Sequence, residues 1–94
     1  MPMFLDVHRR VEGATEGDIA DAHQADRDRQ AGFGVDFRAY WFAPRSGTLF
    51  CLAESPDPES IGAVHRVSHG LVADEVFEVV GKPETLGRPG RLLR

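Results

Sequence analysis

Between Met3 and Val11 apolar and polar side chains alternate, with Leu5 and Val7 on one side and Phe4, Asp6 and His8 on the other. A period of two predicts a short strand with one partly polar face. The alternation breaks at Val11-Glu12-Gly13-Ala14. Thr15 with Asp18 three residues on then reads as a capping box opening a helix from Glu16 to Gln30. Gly32 is placed to stop that helix in a left-handed conformation. A strand follows over Val35 to Phe42. Pro44-Arg45-Ser46-Gly47 separates it from a second apolar run, Thr48 to Glu54, which predicts an antiparallel hairpin. Asp57 is a good N-cap with Pro58 at the first helical position, so a second helix is expected from Pro58 to His69, closed by Gly70. Asp74 to Val80 reads as the last strand.

The order is βαββαβ. Two βαβ halves of this kind close into an α+β, ferredoxin-like fold, a four-stranded antiparallel sheet with both helices on one face. The other face of the sheet would then expose several large side chains, which predicts a homodimer packed sheet to sheet as an α+β barrel. Asp6, His8, Arg38, Tyr40, Glu54 and Glu78 are expected to share that bare face and give the dimer interior a polar lining, unless a bulge shifts the strand parity.

The length of 94 residues and mass of 10.4 kDa limit the chain to one domain, expected over residues 1–80. The 41% hydrophobic and 28% charged composition is that of a soluble globular protein, and no apolar run approaches the ~20 residues of a membrane span. The start, MPMFLDVHRR, lacks the pattern of a signal peptide, and the single Cys51 has no internal disulfide partner; both predict a cytoplasmic protein. Residues 1–80 hold 7 Arg/Lys against 14 Asp/Glu, and residues 81–94 hold 4 against 1. An acidic body argues against nucleic acid and suits a divalent cation. The basic tail, 81–94, with its glycines and prolines, reads as extended or disordered, with Leu92 and Leu93 available to a protein partner.

All the residues able to ligate a soft or borderline metal fall on regular elements: His8 on the first strand, His23 on the first helix, Cys51 on the third strand, and His65 with His69 on the second helix. His65 and His69 are four apart and share one helical face, a spacing at which both imidazoles can hold one ion. The first helix carries Ile19, Ala22, His23, Asp26 and Gln30 where a core-facing stripe normally has Leu or Phe, so its inward face leaves room. His23 and Asp26, three apart, can alternatively satisfy one another. Cys51, inside Leu49-Phe50-Cys51-Leu52, can equally be a small buried hydrophobe. The aromatic run Phe37, Tyr40, Trp41 and Phe42 reads first as core or interface and second as a wall for a flat ligand.

Taken together, Asp6-Val7-His8, Ala22-His23-Gln24-Ala25-Asp26, Tyr40-Trp41, Phe50-Cys51-Leu52, Val64-His65 and His69-Gly70-Leu71-Val72-Ala73-Asp74-Glu75 resemble a family of small bacterial domains of unknown function related to nickel-binding ferredoxin-like proteins. The resemblance spans residues 3–80. It implies a ferredoxin-like fold in a dimeric α+β barrel, a metal-binding or metal-responsive role, and no enzymatic activity. Among the positions it covers, His65 and His69 are expected to anchor a transition-metal ion, with His23, Cys51, His8 and Asp26 as further candidate ligands. The resemblance favours nickel, and zinc and copper are alternatives because imidazole and thiolate suit all three. The expectation is therefore a carrier, buffer or sensor of metal. The competing expectation, resting on fold analogy, is a small-molecule enzyme of the monooxygenase or isomerase type, with His8, His23 and Tyr40 as acid/base groups. A third is a sensory or scaffolding domain whose tail binds a partner.

Overall fold

The computed structural model describes residues 1–11 and 13–81. The tail expected to be extended lies, from residue 82 on, outside the described residues. The elements are β1 (Met3–His8), α1 (Glu16–Arg29), a 3-10 turn (Gln30–Phe33), β2 (Asp36–Ala43), β3 (Thr48–Glu54), α2 (Pro58–Ser68) and β4 (Glu75–Val79). The four strands form one antiparallel sheet in the order β2-β3-β1-β4, the ferredoxin-like arrangement.

Thr15 caps α1 through a full capping box: its hydroxyl accepts from the Asp18 amide at 3.1 Å, and the Asp18 carboxylate accepts from the Thr15 amide at 2.9 Å. The helix does not stop at Gly32. It tightens into the 3-10 turn, and Gly34, at φ 71°, takes the left-handed position expected two residues earlier. The Gln30 side chain, which accepts from the Phe37 amide at 2.8 Å, ties this junction to β2. Asp57 and Pro58 open α2 as the sequence predicts, with Asp57 accepting from the Ser60 amide.

Register fixes which side chains share a face. Antiparallel partners point the same way, so the pairs Phe4↔Ala53, Asp6↔Cys51 and His8↔Leu49 lie on one side, and Leu5↔Leu52 and Val7↔Phe50 on the other. Phe4, Phe37, Leu49, Cys51 and Ala53 join Ile19 of α1 and Ile61 and Val64 of α2 in a single core, so both helices cover the first side. A bulge between Phe37 and Ala39 in β2 places Phe37 and Tyr40 both on the helix side, although they are three apart. The polar lining expected on the bare face is thereby corrected. Asp6, His8, Tyr40 and Glu78 pair with helix-side residues, and only Arg38 and Glu54, joined at 2.7 Å, lie towards the other side. The reason lies in the helices, since α1 offers only Ile19 and Asp26 as buried residues and leaves space beneath it for polar strand residues. The bare face is apolar instead: Leu5, Val7, Phe50 and Leu52 at its centre, Trp41 (46% exposed) and Phe77 (47%) at its flanks.

Candidate metal centre

A buried polar cluster sits between β1, β3, α1 and α2. His65, 1% exposed, projects from α2 into the core. Its Nε2 lies 2.6 Å from Asp6 Oδ2 on β1, and its Nδ1 lies 3.1 Å from Asp26 Oδ1 on α1. One turn further along α2, His69 Nε2 lies 3.1 Å from Asp26 Oδ2. The helical spacing of four thus brings both imidazoles to one carboxylate, with ring centroids 5.0 Å apart. The Ser68 hydroxyl donates to the Ala25 carbonyl at 3.2 Å and locks the two helices together beside this contact.

On the sheet side, His8 stands edge-on to His65 at 5.0 Å, and its Nε2 is 3.4 Å from Asp6 Oδ1, too long for a good hydrogen bond. Asp6 Oδ1 and His8 Nε2 are buried without a hydrogen-bond partner among the described residues. A buried polar atom left in this state costs about 1–3 kcal/mol. Cys51, the cross-strand neighbour of Asp6, is buried on the same side. Asp6, His8, Cys51 and His65 offer donor atoms all within 4.8 Å of one another, and Asp26, His65 and His69 form a second such group.

The charges follow from this packing. Burial alone would lower the His65 pKa, but the hydrogen bonds and charges of Asp26 and Asp6 outweigh it and raise it to about 9. Burial would raise the Asp26 carboxyl, but His65 and His69 hold it at about 2. Asp6 is likewise pulled below the usual carboxylate value, His65 and His8 outweighing its burial. The Cys51 thiol is pushed well up by burial and by the two carboxylates, which favours its neutral form. Two carboxylates held ionised thus flank the His65 ring, one at each nitrogen.

The structure therefore brings five of the six expected ligand residues, His65, His69, Asp26, His8 and Cys51, into one cluster. His23 falls outside both donor groups. It does not pair with Asp26, as the sequence spacing allowed; it stacks on Tyr40 at 4.6 Å, with its Nδ1 buried and unpartnered. Burial, reinforced by Arg27, lowers its pKa. His23 does share with His8, Asp26, Cys51, His65 and His69 the wall of one cavity of about 20 Å³, room for a water molecule or an ion. Asp6 is the residue the sequence reading left out of the ligand set. The available signal was its parity: an acidic side chain between Leu5 and Val7, on the same side as Phe4 and His8.

The donor set of imidazoles, carboxylates and one thiol, together with two unpartnered buried polar atoms, fits a transition-metal ion. His69 Nδ1 accepts from the Leu71 amide at 3.1 Å, so its proton sits on Nε2. A metal held by His69 through Nε2 would require that proton to leave Nε2.

Comparison with known proteins agrees with this chemistry. The family model described as nickel responsive protein SCO4226-like matches residues 4–79, and the chain belongs to that family. The crystal structure of SCO4226 from Streptomyces coelicolor A3(2) is similar with a TM-score of 0.79 and 40% sequence identity, covering 85% of this chain and 98% of that one. Among curated proteins none matches.

Proposed function

We propose that this member of the family is a non-enzymatic, cytoplasmic nickel-binding protein, a carrier, buffer or sensor, that works as a homodimer. His65 and His69 anchor the ion, with Asp26 as their shared carboxylate. The observation that carries the reading is the convergence of His65 and His69 from α2 on the buried carboxylate of Asp26 from α1. The family's printed description supports nickel among the ions that suit such donors. The bound ion would supply charge neutralisation between the helices. The chain's own residues shape the site: Asp26 holds both rings, Asp6 orients His65 from behind, and the small Ala22 lines the cavity. At about 20 Å³ that cavity admits an ion.

The homodimer rests on the sheet face away from the helices, where Trp41 and Phe77 stand about half exposed and Leu5 and Phe50 are partly so, while Val7 and Leu52 between them are already buried. A second copy would remove the exposed part of this apolar surface from water. No helix among the described residues is long and apolar enough to cross a membrane.

The test is elemental analysis of untagged protein purified without chelator, followed by calorimetric nickel titration. Stoichiometric nickel with a saturable isotherm is expected. Absence of tight binding for nickel, zinc and copper alike overturns the reading.

A further inference from the structure

We propose that the cleft between α2 and the 72–76 segment binds a small monocarboxylate with an apolar body, and that Arg66 holds its charge. This site goes beyond the metal-binding reading and does not depend on it.

The cleft encloses about 290 Å³, and His65 is the one residue it shares with the wall of the buried cavity. Its volume is close to the lower end of the roughly 300–1,000 Å³ of small-molecule sites, so it suits one small molecule and not a peptide. Val76 pairs with Asp6 across β4 and β1 and therefore faces the helix layer, so the cleft opens on the side of the sheet away from the bare face. Sheet-to-sheet pairing of two copies does not cover it. Its walls are apolar surface left uncovered: Val72 is 46% and Val76 38% exposed, and only Ile61, at 1%, is closed over at the inner end.

Charge names the occupant. Glu59, Gly62 and Arg66 share one face of α2, and Gly62, unfavourable inside a helix, leaves that face without a side chain in the middle of the cleft. The Arg66 side chain folds back into the gap: its Nη1 and Nη2 lie 3.7 and 3.9 Å from the point where a Cβ on Gly62 would stand, and a Val72 methyl lies 4.0 Å from the same point. Arg9 and Arg38 have carboxylate partners and Arg27 a carbonyl, but Arg66 has no ion-pair or hydrogen-bond acceptor among the described residues. A guanidinium held against valines with its planar fork unused matches a carboxylate, which it can bind through two parallel hydrogen bonds. Of the two acidic residues at the cleft, Asp6 is already matched by His65 at 2.6 Å. Glu59 stands seven residues from Arg66, about 10 Å along the helix, at the other end of the cleft. There it repels a second acidic group, which selects a monocarboxylate over a dicarboxylate.

The test is an amide-resolved NMR titration of the metal-free full chain with isovalerate and phenylacetate, beside phenylacetamide as the neutral counterpart and succinate as the dicarboxylate. Both monocarboxylates should give saturable shifts concentrated in residues 58–66 and 72–76, with dissociation constants in the millimolar range or tighter. Phenylacetamide and succinate should bind about tenfold or more weakly, and Arg66→Gln should weaken the monocarboxylates by a similar factor. Gly62→Leu, which fills the cleft, should abolish the shifts. Absence of saturable shifts with both monocarboxylates, equal binding by phenylacetamide or succinate, or undiminished binding by Arg66→Gln would overturn the proposal. Arg66 is exposed, so Arg66→Gln decides the matter even where Gly62→Leu folds poorly. Every arm is run without metal, so failure here leaves the metal-binding reading untouched.

Discussion

Asp6 and His65 are 59 positions apart in the chain and meet at 2.6 Å in the core, each with a side chain 1% exposed. A buried pair of this kind is costly to break from one side, because the abandoned partner keeps its charge away from water. His65→Ala abandons Asp6 and Asp26 together. The metal-free variant should lose about 3–5 kcal/mol of stability, read as a lowered urea midpoint, against total stabilities of about 5–15 kcal/mol for domains in general. A midpoint within error of wild type would show that the ring contributes little to the apo fold.

The same contacts set a pH window. His65 is raised from 6.5 to about 9, so its stabilisation is complete below 6.5 and is lost as pH rises through 9. Asp26 is lowered from 3.8 to about 2, so its contribution is present above 3.8 and is lost as pH falls through 2. Metal-free protein should therefore be most stable between about pH 4 and 6.5, with urea midpoints that fall on both sides. A midpoint that climbs from pH 6.5 to 9.5 would contradict the ion-pair account.

Helix α1 buries little, so its cap matters more than usual. Thr15→Ala removes the hydroxyl that accepts from the Asp18 amide and should cost about 1 kcal/mol, or roughly 4–8 °C in melting temperature for a domain of this size. Thr15→Ser should recover most of it. Equal losses for the two variants would mean that the hydroxyl is not the cause.

The bare sheet face predicts self-association. Wild-type protein should sediment as a dimer at micromolar concentration, and Trp41→Glu with Phe77→Glu should sediment as a monomer with an unchanged circular dichroism spectrum. A monomeric wild type would remove the dimer from the account.

Much of the fold was legible because strand and helix periods are local. The alternation in β1, the turn at Pro44–Gly47 and the caps at Thr15 and Asp57 each determine a few neighbouring residues, and all reappear in the structure. The β2 bulge was not legible, because a period of two places Phe37 and Tyr40 on opposite faces and only the pairing with β3 reveals the extra residue. The site divides in the same way. The His65 and His69 spacing is a property of one helix and could be read directly. Asp26 meets His65 across 39 positions and Asp6 meets it across 59, distances over which spacing carries no information. Asp6 therefore stayed outside the expected ligand set, and His23, assigned to it, stacks on Tyr40 at the wall of the same cavity.

The most direct measurement is nickel titration of untagged wild type beside the His65→Ala/His69→Ala double variant, with circular dichroism to establish that the variant is folded. The account predicts saturable, stoichiometric binding by wild type and at least a roughly hundredfold loss of affinity, about 2.8 kcal/mol, in the folded variant. Undiminished nickel binding by that variant would contradict the central claim that these two imidazoles hold the ion.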